Sequence, residues 1–237
     1  LGFNSWGDIY HLIHNRAKFI WKNCKNEYHY DDVFNVSAST LFVEEKYSPT
    51  EIKLTARNSW CGVPKILEGD TITIINTDTG EMIGRTNVKS VVEQDTQSAR
   101  VILSDTLSGL VAGKAVYAWD DDTTCHPESE MIGCDMDGTF RARSYMTFTD
   151  CRFYIRRFWI GLECGAEGPL PRNLLFRNCD LTGDDGSMTG EDGRVWEIRS
   201  FNKKEGGYHV ENIIFENCKG IDENKINKDP YDEVIFR

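Results

Sequence analysis

The 237-residue sequence predicts an all-β chain, a right-handed parallel β-helix carrying an inserted small antiparallel β-barrel or sandwich domain. Three observations predict it. One phrase recurs along the chain and each time runs into a cysteine: FIWKNCKN (19–26), EMIGCDMD (130–137), MTFTDCRF (146–153), LLFRNCDL (174–181) and IIFENCKG (213–220). The gaps between most of those cysteines suit stacked coils. Residues 41–119 have a different texture, short alternating strands separated by turn residues.

The recurring phrase is the mark of a repeat architecture. Its cysteines fall at 24, 134, 151, 179 and 218, separated by 110, 17, 28 and 39 residues. A coil of a parallel β-helix takes roughly 20–30 residues, and equivalent side chains stack inward as ladders. The gap of 28 fits one coil. The gap of 39 fits a coil plus an outward loop, GDDGSMTGEDG (183–193), and the gap of 17 is short. A free thiol is small and apolar enough to serve as a ladder rung, and the competing reading pairs the cysteines as disulfides. No two cysteines show the C-x-x-C spacing of zinc or redox sites, so the redox compartment stays open. Local periodicity alone reads residues 9–21, IYHLIHNRAKFIW, as an amphipathic helix, with Ile9, Leu12, Ile13, Ala17, Ile20 and Trp21 near helical spacing. The recurring phrase overrides that reading.

The long gap calls for an insertion. EIKLTA (51–56), DTITIIN (70–76), RTNVKSVVE (85–93), ARVILS (99–104) and KAVYAW (114–119) alternate as half-buried strands do. Glu68-Gly69-Asp70, Asp78-Thr79-Gly80 and Asp95-Thr96 supply turns between them. Taking this segment out of the long gap leaves about one generous coil. The expected organisation is therefore coils over 1–40, an inserted β-domain over 41–119, and further coils over 120–237.

A net charge of −11 and a pI near 5.0 argue against nucleic acid or an anionic membrane as partner. The six Trp, nine Tyr and twelve Phe suit a carbohydrate surface. No stretch approaches the roughly 18–20 apolar residues of a membrane-spanning helix. The chain opens at Leu1 without a Met or a signal peptide, which predicts a fragment or a processed chain.

Within YDDVFNV (30–36), Asp31 and Asp32 interrupt an otherwise strand-like run, where adjacent charges repel. One coil back from Asp32 stands Asp8, whereas the same shift carries Asp31 to Gly7. Only Asp32 thus gains an acidic partner on the neighbouring coil, about 4.8 Å away along the stack. Trp6, Tyr10, His11, Tyr28, His29 and Tyr30 surround the pair in sequence and suggest a sugar pocket. Glycoside hydrolysis needs such a pair, one carboxylic acid and one carboxylate. The plainer alternative makes Asp31-Asp32 a solvated turn and Asp8 an unrelated loop residue.

Asp8, His11, Asn23-Cys24, Asp31-Asp32 and Asn35-Val36 resemble, in order and spacing, a motif of the α-1,3-galactosidases of glycoside hydrolase family 110. TFRARSYM (139–146) and WIGLECGAEGPLPRNLLFRNC (159–179) resemble later segments of that family, and its β-domain insertion follows the same motif. The resemblance implies that Asp8 and Asp32 are the catalytic pair, with Asp31, Asn35, Arg143, Glu163 and Glu167 contacting sugar hydroxyls. Each of these five also has a bland reading: Asp31 as part of a solvated turn, Asn35 as an internal rung, Arg143 as a surface charge, the glutamates as loop residues. The implied substrate is an oligosaccharide or glycan ending in α-linked galactose, hydrolysed with inversion and without metal or cofactor. A bacterial periplasmic or extracellular location would suit that activity, and a homodimer is compatible with it. The sequence departs from the family where Ser37-Ala38 replaces His-Gly and where the coil between Cys134 and Cys151 runs short. The large N-terminal part of the family's β-helix has no counterpart here.

Two other functions fit a β-helix. One is a pectin-type hydrolase or lyase, and the other a non-catalytic carbohydrate-binding or spike module, because fold alone does not decide function. Inversion needs carboxyl groups roughly 6.5–9.5 Å apart, whereas stacking alone gives about 5 Å. Divergent side-chain directions would have to supply the difference.

Overall fold

The computed structural model describes residues 7–26, 32–56, 62–76, 78–119, 125–142, 144–161, 167–168, 171–182, 196–199, 209–228 and 230–237. The chain is all-β. In order its strands are β1 (Tyr10–Ile13), β2 (Ile20–Lys22), β3 (Asp32–Ser39), β4 (Leu41–Lys46), β5 (Glu51–Ala56), β6 (Thr71–Asn76), β7 (Met82–Gln94), β8 (Ser98–Leu103) and β9 (Ala115–Trp119). There follow β10 (Ser129–Ile132), β11 (Asp135–Arg141), β12 (Ser144–Thr149), β13 (Arg152–Gly161), β14 (Glu167–Gly168), β15 (Arg172–Arg177) and β16 (Trp196–Arg199). Last come β17 (Glu211–Glu216), a single 3-10 turn (Glu223–Lys225), β18 (Ile226–Asn227) and β19 (Val234–Phe236).

Two sheets are built from parallel pairs. One runs β1-β3-β11-β13-β16-β18, with the short β14 added antiparallel at the end of β3; the other runs β2-β10-β12-β15-β17-β19. Outside the insertion the chain passes from one sheet to the other and back, so neighbours within a sheet are one circuit apart in sequence. Between β3 and β10 the chain leaves this body and forms a closed antiparallel barrel, β4-β5-β8-β7-β6-β9, sealed by the pairing of β9 with β4. Residues 9–21 hold β1 and the start of β2, not a helix. Tyr10 and Leu12 pack against the core with His11 between them, which is the two-residue period of a strand.

The cysteine phrase is a corner. Asn23, Gly133, Asp150, Asn178 and Asn217 have φ of 53°, 60°, 53°, 52° and 51°, and each precedes a phrase cysteine. This left-handed turn tolerates Asn, Asp and Gly better than other residues. A Cβ on Gly133 would sit 2.8 Å from Asn23 Oδ1, so the Asn23 side chain one circuit back would have to shift to admit it. Cys24, Cys134, Cys151, Cys179 and Cys218 are free thiols, placed just past the ends of the strands rather than on them. Three of them donate to a carbonyl one circuit back: Cys151 to Met131 at 3.4 Å, Cys179 to Phe148 at 3.5 Å and Cys218 to Phe176 at 3.4 Å. A cysteine suits the corner because it is apolar yet still offers a weak donor. The short gap between Cys134 and Cys151 is a full circuit, since β11 starts directly after Cys134 and β12 begins at Ser144.

The residue three before each of these cysteines points inward. Trp21, Met131, Phe148, Phe176 and Phe215 are aligned in register across the second sheet, and Phe236 continues the row on β19. Phe148–Phe176, Phe176–Phe215 and Phe215–Phe236 stack with ring centroids 4.6, 4.9 and 5.3 Å apart. From the first sheet Phe34 stacks on Phe140 at 5.0 Å, and Phe140 meets Phe148 edge-to-face at 5.3 Å. These are the geometries in which aromatic quadrupoles attract. The barrel has its own alternating core, including Leu41, Val43, Ile52, Leu54, Ile72, Ile74, Val101 and Leu103. The two cores meet where Phe42 and Ile75 join the aromatic one. Arg16, between β1 and β2, clamps the barrel residue Asp70 through two bonds of 2.7 and 2.6 Å, a bidentate pair that fixes orientation.

Candidate functional site

All eight residues of β3 are buried, which a strand with one wet face would not show. Phe34 and Val36 face the aromatic core. Asp32, Asn35, Ser37 and Ser39 are also buried, at 4, 1, 0 and 3 % exposure. Buried polar groups need partners, and the chain on either side of β3 supplies them to Asp32, to the Asn35 amide nitrogen and to Ser39, whereas Ser37 Oγ makes no hydrogen bond among the described residues.

β1 pairs with β3 one circuit later in the chain, Tyr10 with Phe34 and His11 with Asn35, and the Ile9 amide donates to Asp32 O at 3.1 Å. Asp8 therefore stands one circuit from Asp32. Asn35 Nδ2 donates to Asp8 Oδ2 at 3.2 Å and reaches Asp32 Oδ2 at 3.5 Å. His11 Nδ1 lies 3.1 Å from the same Asp8 oxygen. On the other flank β11 sets Arg141 beside Asn35, with Arg141 Nε 2.8 Å from Asp32 Oδ2. That Nε contact is close but not aligned as a hydrogen bond, so charge attraction holds it. Asp32 is the deeper carboxylate, its side chain 6 % exposed against 16 % for Asp8.

Two irregularities aim these groups. The register slips between Thr139 and Phe140 against β3, and between Gly138 and Thr139 against β13. Gly138 has φ 144°, backbone that favours glycine. Bulges re-aim side chains next to functional sites, and this pair sits at the level of Asp32.

His14, just past β1, closes the strip. Its Nε2 accepts from the Ser39 amide at 2.9 Å and lies 2.9 Å from Ser39 Oγ. Accepting there requires a neutral ring with its proton on Nδ1. Burial pushes His14 down from 6.5 to about 4. The unfolded chain takes up this proton near 6.5 and the folded chain only near 4, so the unfolded state binds more protons within that window. The contribution is complete above the window and declines as pH falls through it. Allowing for the ring's partial exposure, about 1–2 kcal/mol should be lost between those limits. Comparing denaturant unfolding of the native protein and His14→Gln at pH 7 and pH 5 checks it. The variant should lose less stability on acidification, and equal losses would discount His14.

Of the residues implicated by sequence, the structure brings together Asp8, Asp32 and Asn35. Asn35 is not an internal rung: it faces away from the aromatic core and bridges the two aspartates. Glu167 lies in β14, whose backbone pairs with Ser39 and Ala38. Asp31, Arg143 and Glu163 lie outside the described residues, as do Trp6, Tyr28, His29 and Tyr30. Tyr10 does not line the strip, because its ring packs edge-on against Trp21 in the core at 5.6 Å. Sequence reasoning misses Arg141. Phe34-Asn35 and Phe140-Arg141 share the pattern of an inward ring followed by an outward polar residue, and matching the rings would have paired Asn35 with Arg141. Among the described residues no group of three or more His, Cys, Asp or Glu is placed to hold a metal ion. No family model matches the chain, and no curated protein matches it.

Proposed function

We propose that the chain is a glycoside hydrolase that removes terminal α-linked galactose, with Asp8 and Asp32 as its acid–base pair. The scaffold in this reading is a right-handed parallel β-helix bearing the barrel as an insertion. Passage of the chain between two parallel sheets supports the helix, and the strong right-handed preference of parallel crossovers supports its hand. The observation that carries the function is that Asp8 and Asp32, on neighbouring circuits, both lie within reach of one Asn35 amide. Laid end to end, the two amide distances bound the separation of the Oδ2 atoms. That upper limit admits both the roughly 6.5–9.5 Å of inverting glycosidases and the about 5–5.5 Å of retaining ones, so inversion is proposed here from the resemblance to glycoside hydrolase family 110. One carboxyl would protonate the glycosidic oxygen while the other takes a proton from the attacking water, giving a single displacement.

Arg141 beside the Asp32 carboxylate favours a second reading, a pectin-type enzyme whose substrate carries a uronate. One experiment separates the two. The protein is incubated with α- and β-galactosyl, N-acetylgalactosaminyl and uronyl oligosaccharides, with and without chelator, and the product anomer is followed by NMR. Release of β-galactose from α-galactosyl ends, unaffected by chelator, is the expected result. Turnover of uronyl substrates alone would move the assignment to the second reading, and no turnover of any substrate would remove both.

A further inference from the structure

We infer that Arg141 is a positioning residue that holds Asp32 as a carboxylate and so divides the labour of the pair, making Asp32 the group that takes the proton from water. The second half of this statement rests on the function proposed above; the first does not. Asp32 is almost enclosed, its side chain 6 % exposed, and a carboxylate in such a place keeps its charge only beside a cation or strong donors. Arg141, 18 % exposed, supplies a guanidinium that stays charged at any working pH, with Nε 2.8 Å from Oδ2.

The surroundings of Asp8 differ. It meets the neutral Asn35 amide and the His11 imidazole, both on Oδ2, so Oδ1 is the oxygen left to carry a transferable proton. Three described groups face Asp32: Arg141 from β11, Asn35 from its own strand, and Asp8 with its His11 partner across Asn35 from the β1 side. Of these, only Arg141 carries a permanent positive charge. The negative charge of Asp8 opposes a second charge on Asp32, and Arg141 offsets that repulsion at the deeper carboxylate. Regular pairing is interrupted beside Arg141: the strands flanking β11 each carry one extra residue, Val33 in β3 and the residue between Ile155 and Arg157 in β13, and Gly138 on β11 has a positive φ.

The first test follows the Asp32 carboxyl directly, by 13C NMR titration of aspartate-labelled protein, with the resonance assigned by its loss in Asp32→Asn. In the native protein Asp32 should titrate below the ordinary aspartate value of about 3.9. In Arg141→Gln its midpoint should rise by about 1–3 units, the usual effect of an adjacent opposite charge, and Arg141→Lys should restore part of the difference. A native midpoint at or above the ordinary value overturns the inference even if the Gln variant fails to fold. The second test is the pH profile of kcat/KM on an α-galactosyl substrate. Its acidic limb should move upward in Arg141→Gln with KM little changed, and guanidinium in the buffer should restore part of the rate of Arg141→Ala. A shifted NMR midpoint without any galactoside turnover would keep the charge-holding role and remove the proposed function. Galactoside turnover with an unshifted midpoint would do the reverse.

Discussion

Asp8→Asn and Asp32→Asn should each lower turnover of α-galactosyl substrates by about 10²–10⁴-fold, the usual worth of a general acid or base. Asparagine keeps the shape of the side chain and removes its capacity to exchange a proton at working pH. Steady-state kinetics on the substrate released in the panel reads the effect, and a loss below about tenfold in either variant rules that residue out. Stability should separate the two variants. Asp8 is the more exposed carboxylate and meets the Asn35 amide and the partly exposed His11 imidazole, so Asp8→Asn should unfold almost as the native protein does. Asp32→Asn removes the carboxylate from a little-exposed ion pair and leaves the Arg141 charge behind. Breaking such a pair from one side costs about 3–5 kcal/mol. The two catalytic losses should not add in the double variant, because the residues act on one displacement.

The stacking of Asp8 on Asp32 was legible because an uninterrupted circuit joins them. No insertion falls between the two residues, so counting along the sequence reproduces the register of β1 on β3. The same count fails on the other side of β3. There the barrel separates Asn35 from Arg141, and a bulge at Thr139–Phe140 adds a further offset. Arg141, which the count does not reach, makes the ion pair with Asp32. Spacing is also blind to which side of a strand a residue occupies when both sides are buried, as on β3. That is why sequence proximity puts Tyr10 in the pocket and leaves Asn35 open as a rung. Alternation from Phe34 puts Asn35 on the opposite face, and the alignment of Tyr10 with Phe34 puts Tyr10 inward, while the extra residue Val33 breaks the alternation at Asp32.

The fold was legible through chemistry more than through periodicity. The helix-like spacing of residues 9–21 arises because two short strands, β1 and β2, are joined by a turn that falls in between. A hydrophobic period read over so short a stretch cannot tell that from a helix. The cysteine phrase can, because a left-handed residue, a thiol and an inward ring recur together only where the chain turns the same corner on each circuit. A ladder reading puts the cysteines on strands, whereas they sit just beyond them at the corner. The hydrogen bonds they donate to the preceding circuit explain the position. Barrel strands β5 and β8 were legible by alternation, whereas β6 is buried at four consecutive positions and the second half of β4, EEK, carries no apolar signal.

Phe140→Ala should be the most destabilising single truncation near the site, costing about 3–5 kcal/mol, the range for a fully buried phenylalanine. Phe140 has no exposed surface and joins the aromatic stacks of both sheets. It stacks on Phe34 at 5.0 Å and meets Phe153 and Phe148 edge-to-face at 5.0 and 5.3 Å. Removing the ring takes one rung from the first sheet's ladder and opens a cavity that neighbouring circuits cannot close, because each is held by the strand pairs above and below it. Phe140→Leu keeps most of the volume and loses the ring contacts, so it should cost roughly 1–1.5 kcal/mol. Denaturant unfolding of both variants, followed by tryptophan fluorescence, measures the difference; Trp21 reports directly because its ring packs on Phe34 at 5.1 Å. The neighbouring residue makes the result informative about function as well. Arg141 follows Phe140 on β11, so a ring that no longer anchors the strand lets the guanidinium drift from Asp32. Phe140→Ala should therefore lose activity at temperatures where it is still folded, and Phe140→Leu should retain most of it. Equal stability of Phe140→Ala and the native protein would mean that the aromatic ladder does not hold these sheets together.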